Sequence, residues 1–199
     1  LQKVWQKDRD LKSEGFDFNS EQIQNALTKF HARTDAANKQ SDLLLTEAQL
    51  TKLLYKYAAN NTNASEFKRQ HQPDKNSINK ANDFLNHGNY LAYGLAASCL
   101  WVLGIPHGFA VMHGKTRRGA LVFDVADLIK DAIVLPWAFI CAKESATEQE
   151  FRQQVLQAFT DHKAHAFMFD TVKDIALQNY STQDIEAQNI WWSPLSHNV

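Results

Sequence analysis

Glycine and proline are scarce in this chain, with 7 and 4 among 199 residues. That shortage argues against a turn-rich β sandwich and for long helices. Cysteine is almost missing as well. Cys99 and Cys141 lie in apolar runs without zinc-ligand spacing, and they read as buried free thiols of a reducing compartment. No stretch reaches the roughly 18 apolar residues that a membrane helix needs. The longest one in the middle, Ile133 to Ala142, falls short. The opening Leu1-Gln2-Lys3-Val4 lacks the apolar core of a signal peptide. The expectation is a cytoplasmic protein without membrane contact. A positive excess is missing too, since the formal net charge is −1. Free-standing nucleic-acid domains are usually basic, because phosphate contacts supply much of their affinity. A nucleic-acid role here must rest on local patches, a further segment or a partner.

What is present suffices for one core. Hydrophobic residues make up 44% of the chain, and residues 1–199 read as a single domain. The punctuation predicts successive helices. The first spans Leu1 to Leu11. Asn19 or Ser20 caps the second, with Ile23, Ala26, Leu27 and Phe30 on one face. Residues 34–42 read as a polar connection. Thr46 and Gln49 have capping-box spacing ahead of Leu50, Leu53, Leu54 and Tyr57, which puts Glu47 in a first turn. Residues 58–76 read as a long polar loop. A long helix follows from Ser77 to Leu103, stopped by Gly104 and Pro106.

Four of the seven glycines fall between Gly104 and Gly119. There, Phe109–Met112 and Ala120–Phe123 have the composition of short strands. A helix is expected to begin near Asp124 and to be bent or ended by Pro136. Thr147 and Glu150 form another capping box, a last helix carries Met168, Val172, Ile175 and Ala176, and the tail from Ile190 to Val199 looks irregular. The fold class is therefore all-α, with at most a short hairpin near 109–123.

The glycine cluster is where chemistry is sought. At about 100° per residue, Asp124, Asp127 and Asp131 share one helix face, opposite Val125, Leu128, Ile129, Ala132 and Ile133. Paired carboxylates at i and i+3 repel unless a cation or solvent separates them. They also suit a helix N-terminus without any ligand. His113 precedes the basic loop Lys115-Thr116-Arg117-Arg118, which leads straight to those acids. Imidazole with carboxylates suits manganese and accommodates magnesium. Beside such a site Lys115, Arg117 and Arg118 become a phosphate clamp; elsewhere they are a solvated turn. Glu47 by itself reads as a helix-start acid. Asn79, Asn82, Asn86, Asn89 and Tyr93 form a polar stripe along the long helix. It serves either DNA contact or a network between helices. His162 and His165 beside Asp161 read as surface chemistry rather than a metal site.

Three linked blocks carry a resemblance. They are Asn86-His-Gly-Asn-Tyr-Leu-Ala-Tyr-Gly, then Leu103-Gly-Ile-Pro-His-Gly-Phe-Ala-Val-Met-His113-Gly-Lys, then Leu121-Val-Phe-Asp124-Val-Ala-Asp127-Leu. In this order and spacing the chain resembles the CRISPR-associated integrase that captures new spacers, its type I-F branch in particular, over about residues 41–180. The resemblance implies a helical C-terminal catalytic domain with Mg2+ or Mn2+. It implies joining of a spacer 3′-hydroxyl to a repeat by phosphodiester transesterification. Residue by residue, it puts Glu47, His113 and Asp124 on the metal, with Asp127 as the neighbouring catalytic acid. Arg69, Asn79, Asn89, Tyr93 and Lys130 fall at DNA-proximal positions, beside Lys115, Arg117 and Arg118. The implied partners are double-stranded and branched DNA, a second copy in a full-length homodimer, and a small adaptation protein that can be fused to a helicase-nuclease. The setting would be a prokaryotic cytoplasm. Two departures stand out: the family's N-terminal β domain is absent from this sequence, and the family is usually more basic. The rival expectations are a metal-dependent DNA nuclease without integration and a non-catalytic helical DNA-binding or assembly module.

Overall fold

The computed structural model describes residues 2–64, 67–70, 79–109, 111–112 and 119–178. Among them every regular element is helical. In chain order these are α1 (Gln2–Trp5), α2 (Arg9–Ser13), α3 (Glu21–Asp35), α4 (Gln40–Asn61), α5 (Lys80–Val102), α6 (Ala120–Ile129), a π-helical turn (Lys130–Val134), α7 (Leu135–Lys143), α8 (Glu148–Asp161) and α9 (Ala164–Gln178). The all-α expectation holds. No described helix is long and apolar enough to cross a membrane.

The first expected helix is two. Asp8 interrupts it and accepts hydrogen bonds from the N–H groups of Asp10 and Leu11, which restarts the chain as α2. α3 follows Ser20, whose hydroxyl makes no capping bond. The 34–42 connection shrinks to 36–39, because α4 begins at Gln40. Asp42, not Glu47, is the first-turn acid of α4, and its carboxylate takes the Asn38 N–H at 3.3 Å. Thr46 is therefore interior to the helix, buried, with its hydroxyl donating back to the Asp42 carbonyl at 2.8 Å. Its capping-box spacing with Gln49 has no structural counterpart. α4 runs on to Asn61, four residues into the 58–76 stretch expected as loop.

Ala120–Phe123 is the first turn of α6 rather than a strand. Gly119, at φ 73, turns the chain into it, a backbone angle that favours glycine. The Ala-Leu-Val-Phe composition suits a strand locally, yet α6 buries Ala120, Val125, Ala126 and Ile129 against the core, and that long-range burial decides. Ahead of Pro136, which stands in the first turn of α7, α6 gives way to the π turn. In a regular α-helix the Ala132 carbonyl would take the N–H of residue 136, which proline lacks. Instead the chain widens into the π turn, and the Ala132 carbonyl accepts the buried Trp5 indole N–H at 2.8 Å.

α5 is the central element, packed against α6, α7, α8, α9 and the π turn, while α3 covers α4. Gly88 of α5 is the close-approach point: a Cβ there would run into Val134 of the π turn and meet Phe151 at 3.0 Å. The Thr147–Glu150 capping box forms as expected. Cys99 and Cys141 are buried and unbridged, and burial pushes the Cys141 thiol up to about 12. His162 is tied to the Asp8 carboxylate at 2.9 Å, so it bridges the starts of α2 and the end of α8. The Ile190–Val199 tail lies outside the described residues.

Candidate active-site cleft

α4, α5 and the α6–π segment enclose a cleft of about 1090 Å³. α4 contributes Glu47, Thr51 and Tyr55. α5 contributes Asn86, Asn89, Tyr90 and Tyr93. α6 and the π turn contribute Asp124, Asp127, Lys130 and Asp131, and Arg69 and Met112 come from the connecting segments.

The helix start at Ala120 changes the meaning of the acids. Asp124 and Asp127 lie beyond the first turn of α6, which carries no acid. Complementing the helix dipole therefore does not account for them. Glu47 likewise sits nearly two turns into α4. All three are presented to one cleft from two helices. The Asp124 carboxylate accepts the backbone N–H groups of Val111 and Met112, at 3.3 and 3.1 Å. The Gln40 amide holds the same two residues by their carbonyls, reaching Met112 at 3.1 Å. The chain is thus anchored to α4 and α6 immediately ahead of position 113.

Asp131 registers the acidity of this place. Burial pushes its carboxyl up to about 6; Lys130 opposes that, Asp127 and Glu47 add to it, and a hydrogen bond from Thr51 at 3.4 Å opposes it again. Lys130 pairs with Asp127 one turn back and lies 5.4 Å over the Tyr93 ring. Burial lowers the Lys130 pKa most, yet Asp127, Tyr93 and Asp131 together turn the net shift upward.

The asparagine stripe divides in two. Asn79 is the N-cap of α5, bonded to the Asn82 N–H at 3.3 Å, and does not line the cleft. Asn82 is buried and clamps the 68–70 backbone, donating to the Lys68 carbonyl at 2.7 Å and accepting the Gln70 N–H at 2.9 Å. Its carbonyl and that of Asn86 hold the Arg69 guanidinium at 3.1 and 2.8 Å. Arg69 is thereby held by neutral amides, and its Nε is buried without a hydrogen-bond partner. Asn89 and Tyr93 continue the stripe into the cleft. The network expectation holds for Asn82 and Asn86, which hold Arg69 and the 68–70 backbone.

Of the expected site residues, the cleft gathers Glu47, Asp124, Asp127, Arg69, Asn89, Tyr93 and Lys130. His113, Lys115, Arg117 and Arg118 lie outside the described residues. Among the described residues, no three histidine, cysteine or acidic side chains stand close enough to hold one ion. By their chemistry the donors suit a hard cation: carboxylate oxygens from two helices, fewer than a closed cage needs, leave positions for waters or a phosphate. Sequence reasoning missed Thr51, Tyr55, Asn86 as a guanidinium holder, and Tyr90. Their i, i+4 relation to Glu47 and Asn89's neighbours was the only available signal. A second, smaller groove of about 360 Å³ adjoins the first, lined by Lys52, Lys56, Lys68 and Arg69 with Tyr55 and Phe67. It concentrates cations locally on a chain that is not basic overall.

The family model described as CRISPR associated protein Cas1 matches residues 2–172. Two curated relatives are similar over most of this length. A "CRISPR-associated endonuclease Cas1" of Pectobacterium atrosepticum is 48% identical over 176 residues, covering 88% of this chain and 53% of the relative. Another of that name from Pseudomonas aeruginosa is 49% identical over 172 residues, covering 86% and 52%. The chain spans about half the length of the curated relatives it matches.

Proposed function

The chain belongs to the CRISPR associated protein Cas1 family, and from that premise we propose that it carries the metal-dependent DNA-cutting and DNA-joining site of CRISPR adaptation. The observation that carries the reading is the shared cleft: Glu47 from α4 and Asp124 and Asp127 from α6 face the same space as Arg69 and Lys130. Carboxylates beside cations are what phosphodiester chemistry requires.

Glu47, Asp124 and His113 would hold Mg2+ or Mn2+, and the bound ion supplies polarisation of a phosphoryl oxygen and relief of negative charge. Asp124 also holds the backbone of Val111 and Met112, and so carries the residues ahead of His113 toward α6. Asp127 keeps the Lys130 ammonium beside the cleft. Arg69, fixed by Asn82 and Asn86, would place its guanidinium charge beside a phosphate. Lys115, Arg117 and Arg118 would add charge from the neighbouring loop. Asn89 and Tyr93 would orient the strand. The 3′-hydroxyl of an incoming strand then attacks the phosphorus, a new P–O bond forms, and the target strand's 3′-oxygen leaves. Two copies of the full-length protein, with a small adaptation partner, would act on double-stranded and branched DNA.

The test is strand transfer by the full-length protein with its partner on branched, repeat-containing DNA, with Mg2+ or Mn2+. Joined products are expected from the wild type and none from His113→Ala or Asp124→Ala. Cleavage without joining would replace this reading with the plain nuclease. Full activity in both variants would remove the metal assignment. Calorimetric titration with Mn2+ gives a readout besides activity, and the same two variants should lose the binding heat.

A further inference from the structure

Tyr90 is the most exposed aromatic side chain of the cleft, 73% accessible to solvent although it lines the same space as Asp124 and Arg69. Among the described residues its one aromatic neighbour is Tyr93, edge to face with ring centroids 6.0 Å apart and an interplanar angle of 87°. Tyr93 in turn meets Phe123 edge to face at 4.8 Å and lies under the Lys130 ammonium. Tyr93 is thereby held from two sides, and it steadies Tyr90 while leaving most of that ring open.

Such a ring has no role in the core, and any phosphate contact by its hydroxyl is separated from stacking by Tyr90→Phe. It has the chemistry of a stacking platform: a rigid π face with few rotamers, next to cations and amides. Tyr90 stands one helical turn beyond Asn86, which holds Arg69. Those four residues rise about 6 Å, comparable with the reach from phosphate to base in a single nucleotide. We propose that Tyr90 is a base-stacking contact of the cleft, which takes one nucleobase unstacked from the DNA strand while Arg69 holds an adjacent phosphate. The inference rests on the reading of the cleft as a DNA site. It adds a contact blind to sequence, since every base presents a π face.

Stacking and phosphate contact have different signatures. Loss of a phosphate contact lowers the salt dependence of binding, by about 0.7 to 0.9 in logarithmic slope per contact. Loss of stacking leaves that slope unchanged. The experiment measures binding of the full-length protein to labelled branched DNA by fluorescence anisotropy in EDTA, over a salt series. A set of DNAs each lacking one base near the branch is included. Tyr90→Ala should bind intact DNA about tenfold more weakly, at an unchanged slope. One abasic position should cost the wild type the same factor and cost Tyr90→Ala nothing more. Tyr90→Phe should bind like the wild type. Three results each overturn the proposal: wild-type affinity in Tyr90→Ala, an equal loss across every abasic DNA, or a Tyr90→Phe variant as weak as Tyr90→Ala. Because no metal is present, these outcomes are independent of the catalytic reading. Strand transfer abolished by Asp124→Ala together with unaltered binding by Tyr90→Ala would sink the stacking contact alone. Strand transfer untouched by Asp124→Ala would sink the catalytic reading alone.

Discussion

Met112 donates its backbone N–H to the Asp124 carboxylate at 3.1 Å, so the acid proposed to bind the metal also holds the chain next to the histidine proposed for the same ion. Two roles on one carboxylate can be separated by substitution. Asp124→Asn keeps an acceptor for the Val111 and Met112 amides but loses the charge. Asp124→Ala loses both. Metal-dependent strand transfer should fall by about a hundredfold or more in each. Amide exchange at 111–112 should accelerate only in the alanine variant. Equal protection in the two would separate the anchor from Asp124.

Asp131 predicts a pH dependence of stability. Its carboxyl stands at about 6 in the folded protein, against 3.8 for a free aspartate, chiefly through burial. The unfolded chain therefore gives up this proton first. Between pH 4 and 6, rising pH favours unfolding through this group, and above the folded value that loss is complete. Asp131→Asn should raise the thermal midpoint at pH 7.5, with about 1–2 kcal/mol of stabilisation, and should change it little at pH 4. A midpoint difference that is the same at both pH values would contradict the assignment.

Gly88 is required where α5 crosses the π turn. Gly88→Ala should destabilise by about 1–3 kcal/mol, because its methyl group overlaps Val134. Val134→Ala opens that space. The double variant should recover part of the loss in chemical denaturation, and strict additivity of the two single effects would exclude direct contact.

Trp5 is the only described side chain donating to the Ala132 carbonyl. Trp5→Phe keeps a buried ring and removes the N–H. The orphaned carbonyl should cost about 1–3 kcal/mol in thermal unfolding. Pro136 offers no N–H to take its place.

Much of this was legible beforehand. Gly104 with Pro106 and the Thr147–Glu150 box marked real helix ends, since those signals are satisfied within a few residues. The start of α4 was not, because Thr46 and Gln49 match a capping box that only the true position of the first turn can rule out. Ala120–Phe123 has strand composition, and only burial against α5 makes it helix.

By itself the sequence determined that this is a helical protein and, through three spaced motifs, which family it joins. It also determined that Asp124 and Asp127 share a face, because that follows from the helical repeat alone. Tertiary structure decided what they face. Glu47 is 77 positions from Asp124 in the chain, and no local rule relates them. The packing of α4 and α5 on α7, and of α6 on α5, with Gly88 admitting the π turn, makes one cleft of the two acids. Local spacing is a matter of backbone geometry. Convergence across the chain is a matter of which apolar faces bury together.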